Sequence, residues 1–197
     1  MPKFKDHPEF TPNLTPQQMF KKGSFGGTYW RPIKSSVTGK SYKNKHREFP
    51  KKWWKGIPEN HLSSKHCDLT INKYKTHSGT SLDFWESKGW ITDHDPYGWV
   101  QWYCRFYTGR RIPGEDDRQI RRWLNFAGPK GRFRRRLINM CKKRRTEYND
   151  YTVSPKIRQG LQHWAYELKK KDFEFSKIDE LNQETEQLVE EIDKWQT

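Results

Sequence analysis

The sequence predicts a mainly helical α+β fold. It has a small, irregular, β-containing N-terminal part, a multi-helix C-terminal part and an acidic C-terminal helix. Three observations carry that expectation. From residue 80 onward, Ser/Thr/Asp starts and glycine stops bracket segments with helical apolar spacing. Between residues 23 and 44, short aromatic and β-branched runs alternate with glycine turns. The 10 Trp, 9 Tyr and 11 Phe stand in a chain of 197 residues that is only 31% hydrophobic, so its core must be built largely from rings.

The elements follow in order. Pro2, Pro8 and Pro12 mark residues 1–14 as an extended arm. Thr15-Pro16 opens a short helix, a hydroxyl cap followed by proline at the first helical position, and Gly23 ends it. Gly26-Gly27 makes a tight turn, after which TYWRPI has strand character. SSVTGKSYKN reads as a hairpin with its tip at Thr38-Gly39. Proline breaks up EFPKKWWKGIP, and residues 59–79 read as loop. TSLD fits a capping box at Thr80, and Gly89 ends that helix.

Asp95 caps the next helix, with Pro96 at its first position and Gly109 as its stop. On it Trp99, Trp102, Tyr103 and Phe106 share the core face, while Tyr97, Gln101, Arg105 and Thr108 fall to the other side. Gly98, poor for a helix, signals a close backbone approach. A helix over Glu115–Ala127 has three acids in its first turn, and Asp117 is spaced to pair with Arg121. Gly128-Pro129 breaks it, and residues 130–145 form a strongly basic helix. Ser154-Pro155 caps another, with Ile157, Leu161, Trp164, Ala165 and Leu168 on one face. Ile178, Leu181, Thr185, Leu188, Ile192 and Trp195 then form a short a/d seam. The domain reading is an arm over 1–14, a single basic globular domain over 15–171, and an acidic amphipathic helix over 172–197.

Charge narrows the function. The chain carries +15, but residues 172–197 hold nine acids and two lysines, a net −7, which leaves +22 on residues 1–171. Fifteen Lys/Arg against three acids fall between Arg105 and Arg145, and twelve of the fifteen are arginine, whose planar fork matches phosphate and stacks on bases. That is the electrostatic footprint of a nucleic-acid binder, DNA or RNA. Its phosphate contacts are expected from Arg105, Arg110, Arg111, Arg118, Arg121, Arg122, Arg132, Arg134, Arg135 and Arg136. The competing reading is a solvated face, or one covered by the acidic tail. The tail is a candidate for self-association or for docking back on the body.

Other constellations are weaker. GSFGGTYW lacks the dinucleotide spacing, and Gly39-Lys40-Ser41 lacks the first glycine of a phosphate loop. His61, His66, Cys67 and His77 fit no zinc template, so no metal and no cofactor are expected. Asp93 and His94 are weak acid–base candidates, and Glu115, Asp116 and Asp117 read as helix-start acids rather than ligands for a divalent ion. Three scattered cysteines, no long apolar run and the polar start MPKFKDHPEF point to a reduced, intracellular protein, nuclear, cytoplasmic or virus-associated, with no membrane partner.

GSFGGTYWRPI, EFPKKWW, GTSLDFWESKGWI, DPYGWVQWYCRFYTGRR with EDDRQIRRW, GPKGRF and SPKIRQGLQHWAYEL resemble, in order and wording, blocks of an uncharacterised family. That family is spread across large DNA viruses, algae, fungi and some bacteria. The blocks run from Gly23 to about Leu168. The resemblance implies no activity; a viral setting suits a protein that meets nucleic acid. The leading expectation is therefore a non-enzymatic or accessory nucleic-acid-binding protein. One alternative is a nucleic-acid-processing enzyme, glycosylase-like or nuclease, with Asp83, Asp95 and Asp117 as its candidate acids. Another is a structural or assembly protein of a virus.

Overall fold

The computed structural model describes residues 1–174, so the a/d seam over residues 178–195 lies outside them. The described residues form α1 (Pro16–Lys21), β1 (Ile33–Lys34), β2 (Ser41–Tyr42), α2 (Leu82–Ser87), α3 (Trp99–Tyr107), α4 (Glu115–Ala127), α5 (Arg132–Lys143) and α6 (Pro155–His163). Short 3-10 turns fill the loops of the first half, and a further helical turn opens at Lys170. The fold is mainly helical with one two-stranded antiparallel sheet, Ile33 opposite Tyr42 and Lys34 opposite Ser41. Helix α1 packs on α3, α3 on α4, α4 on α5 and α5 on α6.

Local chemistry explains most boundaries. Thr15 caps α1 in a complete capping box with Gln18. The hairpin turns through Gly39, which takes φ 67°. Helix α2 is capped by Ser81, one residue later than expected, through its hydroxyl and the Phe84 N–H. TYWRPI is not a strand before Ile33. Tyr29 and Trp30 are buried, and the Trp30 N–H bonds the Leu62 carbonyl, so packing on the following loops overrides strand propensity.

The start of α3 also differs. Gly98, with φ 84° and ψ −151°, stands at the cap, and a side chain there would meet Ile91 at 2.7 Å. Asp95 does not cap; it is 1% exposed and serves an ion network described below. Trp102, Tyr103 and Phe106 are fully buried and Trp99 nearly so. Tyr97 and Gln101 are buried as well, because α3 is covered on both sides. Tyr97 donates its hydroxyl to the Arg31 carbonyl, and the Tyr29 hydroxyl donates to the Tyr97 carbonyl, which locks the two aromatic blocks together.

Residues 1–14 contain no regular element, but they lie on the body rather than projecting from it. Phe10 is 1% exposed, and its ring sits 5.1–6.4 Å from those of Trp99, Trp102, Tyr103, Phe106 and Trp123. Asn13 clasps the backbone of Glu167 from both sides, accepting its N–H at 2.8 Å and donating to its carbonyl at 2.7 Å. Tyr103 donates its hydroxyl to the Leu14 carbonyl. Residues 10–14 and 165–167 therefore meet over the same core.

The basic helix is α5. It follows α4 after a turn through Gly131, where a side chain would sit 2.7 Å from the Phe126 backbone. That close approach fixes how α5 leaves α4. Helix α6 ends at His163, so Trp164, Ala165 and Leu168 pack from a turn beyond it. Ser154 occupies its cap position in the left-handed region without a side-chain bond.

The body does not end at residue 171. Asp172 is 2% exposed and pairs with Arg134 at 2.6 Å. It also accepts the Tyr166 hydroxyl at 2.8 Å and the Lys169 N–H at 2.7 Å. The rest of the acidic helix expected over 172–197 lies outside the described residues from 175 onward. No helix among the described residues is long and apolar enough to cross a membrane.

Candidate nucleic-acid interface

The ten arginines expected at a phosphate-binding surface separate into two groups. Arg105, Arg110, Arg111, Arg118, Arg122 and Arg134 are tied to other groups of the protein, five of them by carboxylates and Arg122 by the Gln119 side chain and the Trp90 carbonyl. Arg121, Arg132, Arg135 and Arg136 face solvent.

Carboxylates at least 10 positions away hold Arg105, Arg110, Arg111 and Arg134, whereas Arg118 uses Glu115 in the preceding turn. Arg105 forks onto Glu48 at 2.7 and 2.9 Å and reaches Asp95 at 3.0 Å. Arg110 forks onto Asp95 at 2.9 and 2.5 Å. Burial pushes the Asp95 carboxyl above its usual value, against the pull of Arg110 and Arg105. Burial also raises Glu48, but the Arg105 hydrogen bonds and charge outweigh it and leave that carboxyl below the ordinary range. Arg111 pairs with Asp6 and lies 3.7 Å over the Phe106 ring. Arg118 forks onto Glu115 at 2.8 Å. Arg105, Arg110 and Arg111, at the end of the DPYGW block, thus hold the N-terminal segment, the 45–48 turn and the segment before α3 together.

The expected Asp117–Arg121 pair does not form. Asp117 is exposed, whereas Asp116 is buried and holds the Trp102 indole N–H at 2.7 Å and the Ile112 N–H at 2.6 Å. Of the three candidate enzyme acids, Asp95 is enclosed by two guanidiniums, and Asp83 and Asp117 lie exposed on different helices. Asp93 and His94 are exposed and stand 3.9 Å apart. Among the described residues no three His, Cys, Asp or Glu side chains converge as a metal site.

The outward group forms a surface. Lys130, Arg132, Arg135, Arg136, Asn139, Met140 and Lys143 line an open groove of about 540 Å³ along α5. Arg132, Arg135, Arg136, Asn139 and Lys143 follow the i, i+3, i+4, i+7, i+11 spacing of one helix face, and Lys130 joins them from the turn before the helix, while Leu137, Ile138 and Cys141 are buried on the other face. Among the described residues no carboxylate lies within ion-pair reach of Arg132, Arg135, Arg136 or Lys143. Nothing acidic occupies the first turn of α5, so its N-terminal amides add to the positive field. Arg134 belongs to the same run, but it points inward onto Asp172 and the Tyr166 ring. Lys130, Asn139 and Lys143 are not among the sequence-predicted contacts; helical spacing from Arg132 is the signal that finds Asn139 and Lys143, and no local signal finds Lys130.

A second, smaller cleft of about 200 Å³ lies on the N-terminal part, lined by Phe25, Tyr29, Arg31, Cys67, His77 and Trp85 among others. Behind it stands a buried polar cluster. His163 accepts the Phe25 N–H at 3.0 Å and stacks on the Phe25 ring at 3.8 Å. Gln162 joins Ser24 and the Met19 carbonyl. Burial lowers the His163 imidazole to about 3, so it is neutral at physiological pH.

Comparison of the chain with protein-family models, with curated proteins and with solved structures returns no match.

Proposed function

We propose that this chain is a nucleic-acid-binding protein whose phosphate contacts come from the exposed face of α5 rather than from the whole arginine-rich stretch. One observation carries the reading: Arg132, Arg135, Arg136 and Lys143 line one groove with no carboxylate paired to them among the described residues. An uncompensated row of guanidiniums at helical spacing is costly through self-repulsion unless a polyanion neutralises it. Arg121, exposed on the adjoining α4, extends the same field. The reading is of a binding or accessory role. The block resemblance to an uncharacterised family of large DNA viruses, algae, fungi and bacteria agrees with it and adds no chemistry of its own.

The test is a salt series with labelled duplex DNA, single-stranded DNA and RNA. The full chain should bind with an affinity that falls steeply with salt. Arg135→Glu with Arg136→Glu should abolish most of that binding while leaving the fold intact. Absence of binding to all three probes at low salt would sink the proposal. A truncation that probes the acidic tail should be cut after residue 174, because a cut at 171 would leave Arg134 buried without Asp172.

A further inference from the structure

The surface beside the α5 groove is not simply polar. Phe84 and Trp90 are 40% and 39% exposed, and their rings meet edge to face at 5.8 Å. The Lys88 ammonium stands 5.5 Å over Phe84. Trp90 also meets Arg122, whose guanidinium is 5.2 Å from the Trp90 ring and 5.5 Å from that of Trp164. Trp164 stacks on Phe126 at 4.9 Å and 16°. Phe126 meets Phe133 at 4.3 Å, and Arg132 covers Phe133 at 4.8 Å. Every member of this series is at least partly exposed. The series ends on Arg132, which also lines the α5 groove.

Arg122 is the informative member. It is half-buried, and burial lowers it to about 10, so it remains a cation at neutral pH. Its polar contacts are the neutral Gln119 side chain and the Trp90 carbonyl. Among the described residues no carboxylate forms an ion pair with it; the Glu115 carboxylate, forked onto Arg118, acts on it only at longer range. A partly desolvated guanidinium near two rings and without a paired anion is suited to receive one.

We infer that this strip of rings and cations is a stacking track for single-stranded nucleic acid, running from Phe84 and Trp90 to the α5 groove. The inference rests on the binding role proposed above and narrows it to unpaired strands. Bases have faces that stack on exposed rings, whereas in a duplex those faces are already stacked on one another. Arg122 and Arg132 take phosphates along the same path, and Arg135, Arg136 and Lys143 hold the backbone beyond it. Charge complementarity is what favours a nucleic acid over an apolar peptide: cations stand over the rings, and none of these cations forms an ion pair with a carboxylate among the described residues.

The test uses the full chain with single strands and blunt duplexes of one length, about 20 nucleotides, long enough to cross both surfaces. Wild type should hold the single strand about tenfold tighter than the duplex at equal salt. Trp90→Leu keeps apolar area but removes the π face. It should weaken single-strand binding by about 5- to 50-fold, with duplex affinity, salt slope and melting temperature unchanged. Trp90→Tyr should restore most of the loss, and Phe84→Leu should behave as Trp90→Leu does. Wild-type single-strand affinity in both leucine variants would overturn the track, and so would a parallel loss on duplex. If the α5 variants lose binding while the leucine variants do not, the groove stands and the track falls. If no probe binds the wild type, both fall together.

Discussion

Two arginine-rich stretches of this chain begin with the same two letters and end in opposite places. RFYTGRR, residues 105–111, turns all three of its arginines onto Glu48, Asp95 and Asp6. RFRRR, residues 132–136, turns one arginine inward onto Asp172 and leaves three at the surface. Local composition does not separate them. What separates them is the supply of carboxylates from remote segments, from residues as far away as position 6 for the first stretch. A cation becomes part of the frame where the fold brings an acid to it, and part of an interface where it brings none.

Removing the acid tests this most severely. Asp95→Ala leaves Arg105 and Arg110 without their shared buried carboxylate, and should cost about 3–5 kcal/mol in urea unfolding. Phe10→Ala probes the other half of the frame, the ring that the N-terminal segment inserts among five others. It should cost about 3–5 kcal/mol by the same measurement, which also shows that residues 1–14 belong to the body. A cost below about 1 kcal/mol in either variant would mean that the side chain contributes little to the frame.

Next in size is a pH effect. His163 binds its proton near pH 3 when folded and near its ordinary 6.5 when unfolded. Between those values the unfolded chain holds more protons, so stability falls as pH drops below about 6.5 and levels off near 3. The loss is on the order of 3 kcal/mol by pH 4, and His163→Gln should flatten the curve over that window, as read by melting temperature against pH. A variant with the same acid limb as wild type would contradict it. The smallest stability effect belongs to the surface: Arg135→Ala with Arg136→Ala should move unfolding by no more than about 0.5 kcal/mol while changing nucleic-acid binding.

Much of the fold was legible in the sequence. The Thr15-Pro16 start, the hairpin at Gly39, the helix over Glu115–Ala127 and the apolar face of α3 follow from side chains and backbones within one turn of each other. What was not legible depends on partners far along the chain. Asp95-Pro96 carries the local signature of a cap, and only the approach of Arg105 and Arg110 reveals the other use of that carboxylate. TYWRPI has strand letters, but the Tyr29 hydroxyl goes to the Tyr97 carbonyl and the Trp30 backbone N–H to the Leu62 carbonyl. The candidate interface was half legible. The 132–143 spacing separates Arg132, Arg135 and Arg136 from the buried face, yet nothing local shows that Arg134 meets Asp172 or that Arg105, Arg110 and Arg111 are tied down.

The division between frame and interface is tested most directly by one salt series with two variants, Arg135→Ala with Arg136→Ala and Arg110→Ala with Arg111→Ala. The first should melt as wild type does, while its slope of log affinity against log salt flattens by about 0.7–0.9 for each phosphate that is no longer neutralised. The second should melt at lower temperature, yet keep the wild-type slope at a temperature where it remains folded. A wild-type slope in the first variant together with a flattened slope in the second would place the phosphate contacts on the DPYGW block, and would contradict the division.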